Sequence, residues 1–165
     1  MSEAASAGNY LTFTLDGELY AVRVSRVREV LGYSRITRLP KAAQYLKGII
    51  NLRGSSVPVV DLRMKFGLAG RAEGEASSVV VMELPSAEGG LVVGALADEV
   101  HEVLEIAGSS IEPAPRFGTR LAAAFIEGVA RRDEDFIILL DVERIFGEDE
   151  AGELAGAAQA EAAPV

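Results

Sequence analysis

The chain has 165 residues, room for one ordinary domain or two very small ones. It holds no Cys, no Trp and a single His, and 16 Lys and Arg face 25 Asp and Glu, for a net charge of −9. These counts exclude a disulfide frame, a thiol nucleophile, a zinc ribbon, an iron–sulfur cluster and a multi-histidine metal centre. A pI ≈ 4.7 argues against a broad nucleic-acid-binding or anionic-membrane-binding face.

Residues 1–9 are small and polar, with neither the basic segment nor the apolar run of a signal peptide, and read as a disordered N-terminus. Tyr10–Leu15 alternates apolar and polar residues and runs into Asp16-Gly17, a hairpin turn signal, with Leu19–Val24 pairing back. Ile49-Ile50 and Val57–Val60 flank a predicted turn, Asn51-Leu52-Arg53-Gly54. Arg71–Ser77 is small and polar, the best internal boundary. Ser78–Leu84 and Gly90–Leu96 read as another hairpin, and Phe136–Leu140 as a buried strand. Glu112-Pro-Ala-Pro115 is a stiff extended linker. Residues 148–165 are an Ala/Glu-rich tail without a periodic apolar stripe, and no apolar run reaches the length of a membrane span.

The two halves match each other. Val27-Arg-Glu-Val-Leu31 aligns with Val100-His-Glu-Val-Leu104, and Pro40 with Pro113, both at an offset of 73. Leu46-Lys-Gly-Ile49 aligns with Ile126-Glu-Gly-Val129, and the Asp-x4-Phe-Gly segments Asp61–Gly67 and Asp141–Gly147 align as well, both at an offset of 80. A seven-residue insertion around Ala114–Ala124 reconciles the two offsets. The chain therefore reads as two copies of one small β-unit, each too small to be comfortable alone, with a cleft where they meet.

Copies that share a fold but not a role should differ at functional loops. The clearest difference sets Asn51-Leu52-Arg53-Gly54 against Arg131-Arg132-Asp133-Glu134. Arg53 could bond a carboxylate with two nitrogens at the rim or in the cleft, or simply be a solvated turn residue. Glu29 and Glu102 are equivalent within the repeat; with no ligand-spaced acidic cluster around them, a polar strand edge or partner contact is favoured over acid–base work. His101 has no Ser or Cys motif for company, and the Gly pairs lack phosphate-cradling signatures. Gly48 and Gly128 are equivalent, which predicts a shared backbone need such as a positive φ or close packing.

The run Tyr45-Leu-Lys-Gly-Ile-Ile-Asn-Leu-Arg-Gly-Ser-Ser-Val-Pro-Val-Val-Asp-Leu-Arg63 resembles the signature of the CheW family. So do the first hairpin with Val27–Tyr33 after it and, in the second copy, Val92–Val100 and Ile111–Pro115. The resemblance spans about Tyr10 to Phe146. It implies an all-β fold: one CheW-like domain over 10–147 made of two intertwined, five-stranded SH3-like β-barrels, about 10–75 and 76–147, with short helical segments. It also implies a role, that of a non-catalytic, cofactor-free cytoplasmic adaptor coupling the tips of chemoreceptors (methyl-accepting chemotaxis proteins) to the regulatory domain of a CheA-type histidine kinase in membrane-associated arrays. The alternative is an adaptor of a chemosensory-like pathway that controls surface motility or another output.

Carried over by position, the resemblance implies a receptor groove between the barrels drawing on Val27, Glu29, Gly48 and Arg53 from the first copy and Val100, Val103 and Gly128 from the second. The valines would give apolar contact, the glycines close backbone approach, and Arg53 with Glu29 charge and register. Val24 and Val27 are the candidates for kinase contact. No catalytic or metal-binding residue is expected, and neither nucleic-acid binding nor membrane insertion. Two rival classes, an enzyme built on a carboxylate pair and a nucleic-acid-binding SH3-like module, lack motifs and charge respectively.

Overall fold

The computed structural model describes residues 8–32, 36–38, 45–66, 77–86, 89–113 and 125–146. The expected boundary loop except Ser77, the insertion segment and the C-terminal tail lie outside them. Among the described residues eleven strands form two sheets, accompanied by two one-turn helices. In chain order they are β1 (Gly8–Leu15), β2 (Glu18–Arg23), β3 (Val27–Gly32), β4 (Leu46–Leu52), β5 (Ser55–Asp61), α1 (Leu62–Lys65), β6 (Ser78–Ser86), β7 (Gly89–Ala97), β8 (Glu99–Ile106), β9 (Ile111–Glu112), β10 (Ile126–Arg132), β11 (Asp135–Leu140) and α2 (Val142–Ile145). A 3₁₀ turn, Val24–Arg26, joins β2 to β3.

Local chemistry explains most of the boundaries. Asp16-Gly17 makes a two-residue hairpin with both φ values positive, 53° and 82°, the geometry that matches strand twist. Arg53-Gly54 repeats it at 50° and 87°. Asp61 and Asp141 stop β5 and β11 by capping the helices that follow: each side chain accepts from a backbone N–H of the first turn. β1 begins at Gly8, two residues before the expected start at Tyr10, because Gly8 and Asn9 pair with Ile106 and Glu105 of β8.

One sheet runs β8-β1-β2-β11-β10-β9 and the other β3-β6-β7-β5-β4. The division near residue 75 therefore marks the repeat but not the sheets. The β1–β2 hairpin of the first half completes the sheet of the second half, and the β6–β7 hairpin of the second half completes the sheet of the first. The exchange is symmetrical in register. Ile49 pairs with Pro58, and Val129 with Ile138, 80 positions on. The parallel joints also correspond: β5 meets β7 at Val59↔Gly94, and β11 meets β2 at Leu139↔Ala21. The first sheet counts six strands, one above expectation, because β9 adds two residues to β10; its counterpart across the repeat is the single bridge Thr37↔Ile49.

The apolar residues form three clusters. Ile50, Val57, Val59, Val79, Val81 and Leu96 fill one barrel. Tyr10, Ala21, Ile106, Ala130, Ile137 and Leu139 fill the other. The third and largest lies between the sheets, with Phe13, Tyr20, Val22, Met82, Val93, Phe66, Leu140 and Ile145 among its members. Rings run through it in sequence, Phe13–Tyr20–Phe66–Phe125, with centroids 6.0–6.3 Å apart. Each buried side chain of this size contributes roughly 1.5–3 kcal/mol, so the shared cluster is what joins the two barrels.

Candidate functional site

The candidate residues fall on both sides of this shared seam. Val24, in the 3₁₀ turn, Val27, which opens β3, and Val100, the second residue of β8, are half-buried and pack against the inter-sheet cluster. Their side chains are thus partly committed to joining the barrels. Val103, on β8, is 53% exposed, and its repeat equivalent Val30, on β3, is 42% exposed. Val103 and Val30 thus present more side-chain surface than the half-buried Val27 and Val100.

Glu29 and Arg53 come together. β3 and β4 are the two outer strands of their sheet, and the Arg53 turn projects from the end of β4 toward β3. Arg53 Nη1 donates to Glu29 Oε1 at 3.3 Å and Nη2 to Oε2, a two-pronged ion pair. The Arg53 side chain is 72% exposed and that of Glu29 28%. The hydrogen bond from Arg53 holds the Glu29 carboxyl below the ordinary carboxylate range, and Glu29 raises the Arg53 guanidinium in turn. The pair clasps the open side of the barrel while leaving the guanidinium at the surface.

A second clasp, which the loop comparison did not reveal, closes the other barrel. Arg132 Nη2 donates to Glu102 Oε1 at 3.0 Å, from the end of β10 to β8. The loops differ in sequence, but an Arg one place earlier reaches the equivalent glutamate. The signal was available in Glu29 and Glu102 being repeat partners; the shift by one residue hid it. Beside it, the Arg131 guanidinium lies 5.2 Å from the ring centroid of Phe136, an exposed aromatic. His101 is exposed, with Nδ1 3.8 Å from Glu99 Oε1.

Gly48 and Gly128 are both buried at register shifts in β4 and β10. Gly48 has φ 150°, and a Cβ there would stand 2.1 Å from the Thr37 carbonyl oxygen. Among the described residues the glycines of positive φ are Gly17, Gly48 and Gly54, so the backbone conformation expected of both repeat partners belongs to Gly48. Their shared feature is the bulge. Both are covered, so neither offers an open backbone surface.

The sequence patterns also missed several buried polar groups. Glu127, with a side chain 6% exposed, accepts from Arg23 and from the Tyr10 hydroxyl at 2.9 Å. Burial and the neighbouring Glu127 push Tyr10 up to about 12. Arg63 binds Asp98 through Nε at 3.0 Å and Nη2 at 2.7 Å. Among the described residues no group of three or more His, Cys, Asp or Glu side chains is placed to hold a metal ion, and no helix is long and apolar enough to cross a membrane.

The arrangement, two hairpin-exchanging barrels with a clasped outer edge on each, has known relatives. The CheW-like domain matches residues 9–150. The chain belongs to the CheW family. It is 36% identical over 141 residues to the chemotaxis protein CheW of Klebsiella aerogenes, covering 86% of this chain and 82% of that one. It is 30% identical to CheW of Thermotoga maritima, covering 90% and 93%. The crystal structure of the scaffolding protein TtCheW from Thermoanaerobacter tengcongensis superposes with a TM-score of 0.76 at 34% identity, covering 87% and 95%. PilI of Pseudomonas aeruginosa is more distant, at 27% identity over 82% of this chain. The fold is thus that of a CheW protein, and the function is that of a chemotaxis adaptor, in which surfaces and their geometry carry the work.

Proposed function

We propose that this CheW-family chain is a non-catalytic cytoplasmic adaptor that couples the cytoplasmic tips of chemoreceptors to the regulatory domain of a CheA-type histidine kinase, recruited to receptor arrays at the inner face of the membrane. The observation that carries the reading is the Glu29–Arg53 clasp, which fixes an exposed guanidinium at the rim of the barrel, two residues of β3 away from the seam at Val27. A helical receptor tip offers carboxylates and an apolar stripe to such a rim, a recurring recognition mode.

In this reading Arg53 and Glu29 set charge and register. Val103 supplies exposed apolar contact. Val27 and Val100 transmit a partner's position to the seam they are packed in, and Gly48 and Gly128 act by shaping the bulges of β4 and β10. Val24 and Val27, on and just after the 3₁₀ turn, contact the kinase. Coupling is then allosteric: receptor state biases the packing of the two barrels, and that packing biases kinase activity.

The test is reconstitution of the full chain with a receptor cytoplasmic fragment and the kinase. Arg53→Ala is expected to weaken receptor-dependent kinase activation in a chain that stays folded, its denaturation midpoint falling no further than that of Glu29→Gln. Full activation by a folded Arg53→Ala chain would overturn the role assigned to this residue, and failure of the wild-type chain to co-purify with either partner would overturn the coupling itself.

A further inference from the structure

The repeat places one polar contact across the seam in each half, and the two are opposite in polarity. In the first half Arg63 of α1 reaches Asp98, at the junction between β7 and β8. Glu143 of α2 stands at the position equivalent to Arg63, 80 residues on, and reaches Arg26, in the turn between β2 and β3.

The two differ also in burial and support. The Arg63 and Asp98 side chains are 11% and 14% exposed. Arg63 adds a contact to Asp16 at 3.5 Å, Asp98 accepts from the Asp16 N–H at 2.8 Å, and the Asp98 N–H donates to the Thr14 carbonyl at 3.1 Å. This contact therefore ties α1, the β1–β2 turn and the β7–β8 junction in one largely buried network. The Arg26 and Glu143 side chains are 37% and 49% exposed. Beside them lies a cleft of about 310 Å³, lined by Arg23, Ser25, Glu127 and Asp141 as well. An exposed pair contributes little and is weakened by salt, whereas a buried, multiply bonded pair is screened far less.

We propose that the seam between the barrels is a one-sided latch: it is held at Arg63–Asp98 and opens at Arg26–Glu143, with the 3₁₀ turn Val24–Arg26 and α2 as the parts that move. The opening enlarges the cleft already present beside the exposed pair. It also shifts the turn that feeds Val27 into the shared core, so the relative position of the barrels changes without breaking either sheet.

Amide hydrogen exchange on the full chain tests this, because hydrogen-bonded amides report both places. Val27, Ile145 and Phe146 mark the opening side, and Arg63, Phe66 and Asp98 the held side. Between about 0.02 M and about 0.5 M NaCl, exchange on the opening side should rise about threefold and that on the held side should stay constant. Glu143→Lys should produce the same one-sided change at low salt, and adding Arg26→Glu to it should restore protection. Salt-insensitive exchange, or both sides loosening together, would overturn the proposal whether or not the Glu143→Lys chain folds.

Discussion

Arg132 meets Glu102 at 3.0 Å in the place where, in the other barrel, Arg53 meets Glu29. Two loops that share no residue at matched positions thus perform one task, closing an open barrel by an ion pair from hairpin tip to outer strand. What separates the two clasps is presentation. The first comes from a tight Arg-Gly turn with its carboxylate partly covered; the second sits among Asp133, Glu134 and Asp135 with both partners about half exposed.

The first prediction concerns pH. The folded-state pKa of Glu29 is depressed by Arg53, so its contribution is present above the unfolded carboxylate pKa and is lost as pH falls through the lower folded value. The difference in denaturation midpoint between the wild type and Glu29→Gln should hold steady from neutral pH into mild acid. It should vanish only below the ordinary carboxylate range. A difference that disappears near pH 6 would contradict the assignment.

At the alkaline end Tyr10 gives the opposite sign. Its folded-state pKa is raised from 10.0 to about 12, so the stabilisation is complete below pH 10 and is lost as pH rises toward 12. The wild type should lose stability through that window, and Tyr10→Phe should show a flatter profile in the same urea titrations.

The buried carboxylate Glu127 answers to removal rather than titration. Glu127→Ala leaves Arg23 and the Tyr10 hydroxyl without the acceptor they share, at a cost of about 3 kcal/mol in urea unfolding. Arg23→Ala in the same background should then cost less than it does in the wild type, since the charge it would orphan is already gone.

Two glycine substitutions separate conformation from space. Gly17→Ala meets nothing within 4 Å and pays only for its φ of 82°, roughly 1–2 kcal/mol. Gly48→Ala must also displace the Thr37 backbone, and should cost roughly 3 kcal/mol or more. Equal losses would mean that Thr37 gives way freely.

Much of the site was legible because it rests on local rules. Asp16-Gly17 specified its turn by backbone preference, and the repeated Asp-x4-Phe-Gly segments marked as equivalent two places where the structure starts a helix. Glu29 and Glu102 were marked as equivalent by the repeat alone. Less legible was burial: of the valines implied as receptor contacts, Val27 and Val100 give part of their surface to the shared core, while Val103, like Val30, is exposed. An alternating strand reports that one face is apolar and says nothing of which apolar cluster will cover it.

The sequence by itself therefore determined many of the strands, two of the tight turns, the two-fold repeat and the family. These follow from residue-by-residue preferences and from motif strings that need no knowledge of distant neighbours. Only the tertiary structure decided which hairpin completes which barrel, where Arg132 finds its glutamate, and that Arg63 and Glu143, equivalent in the repeat, hold the seam with opposite charge and unequal cover. Those outcomes depend on burying a third, shared core between two sheets, and pairing across it joins residues 35 to 117 positions apart that no local pattern connects.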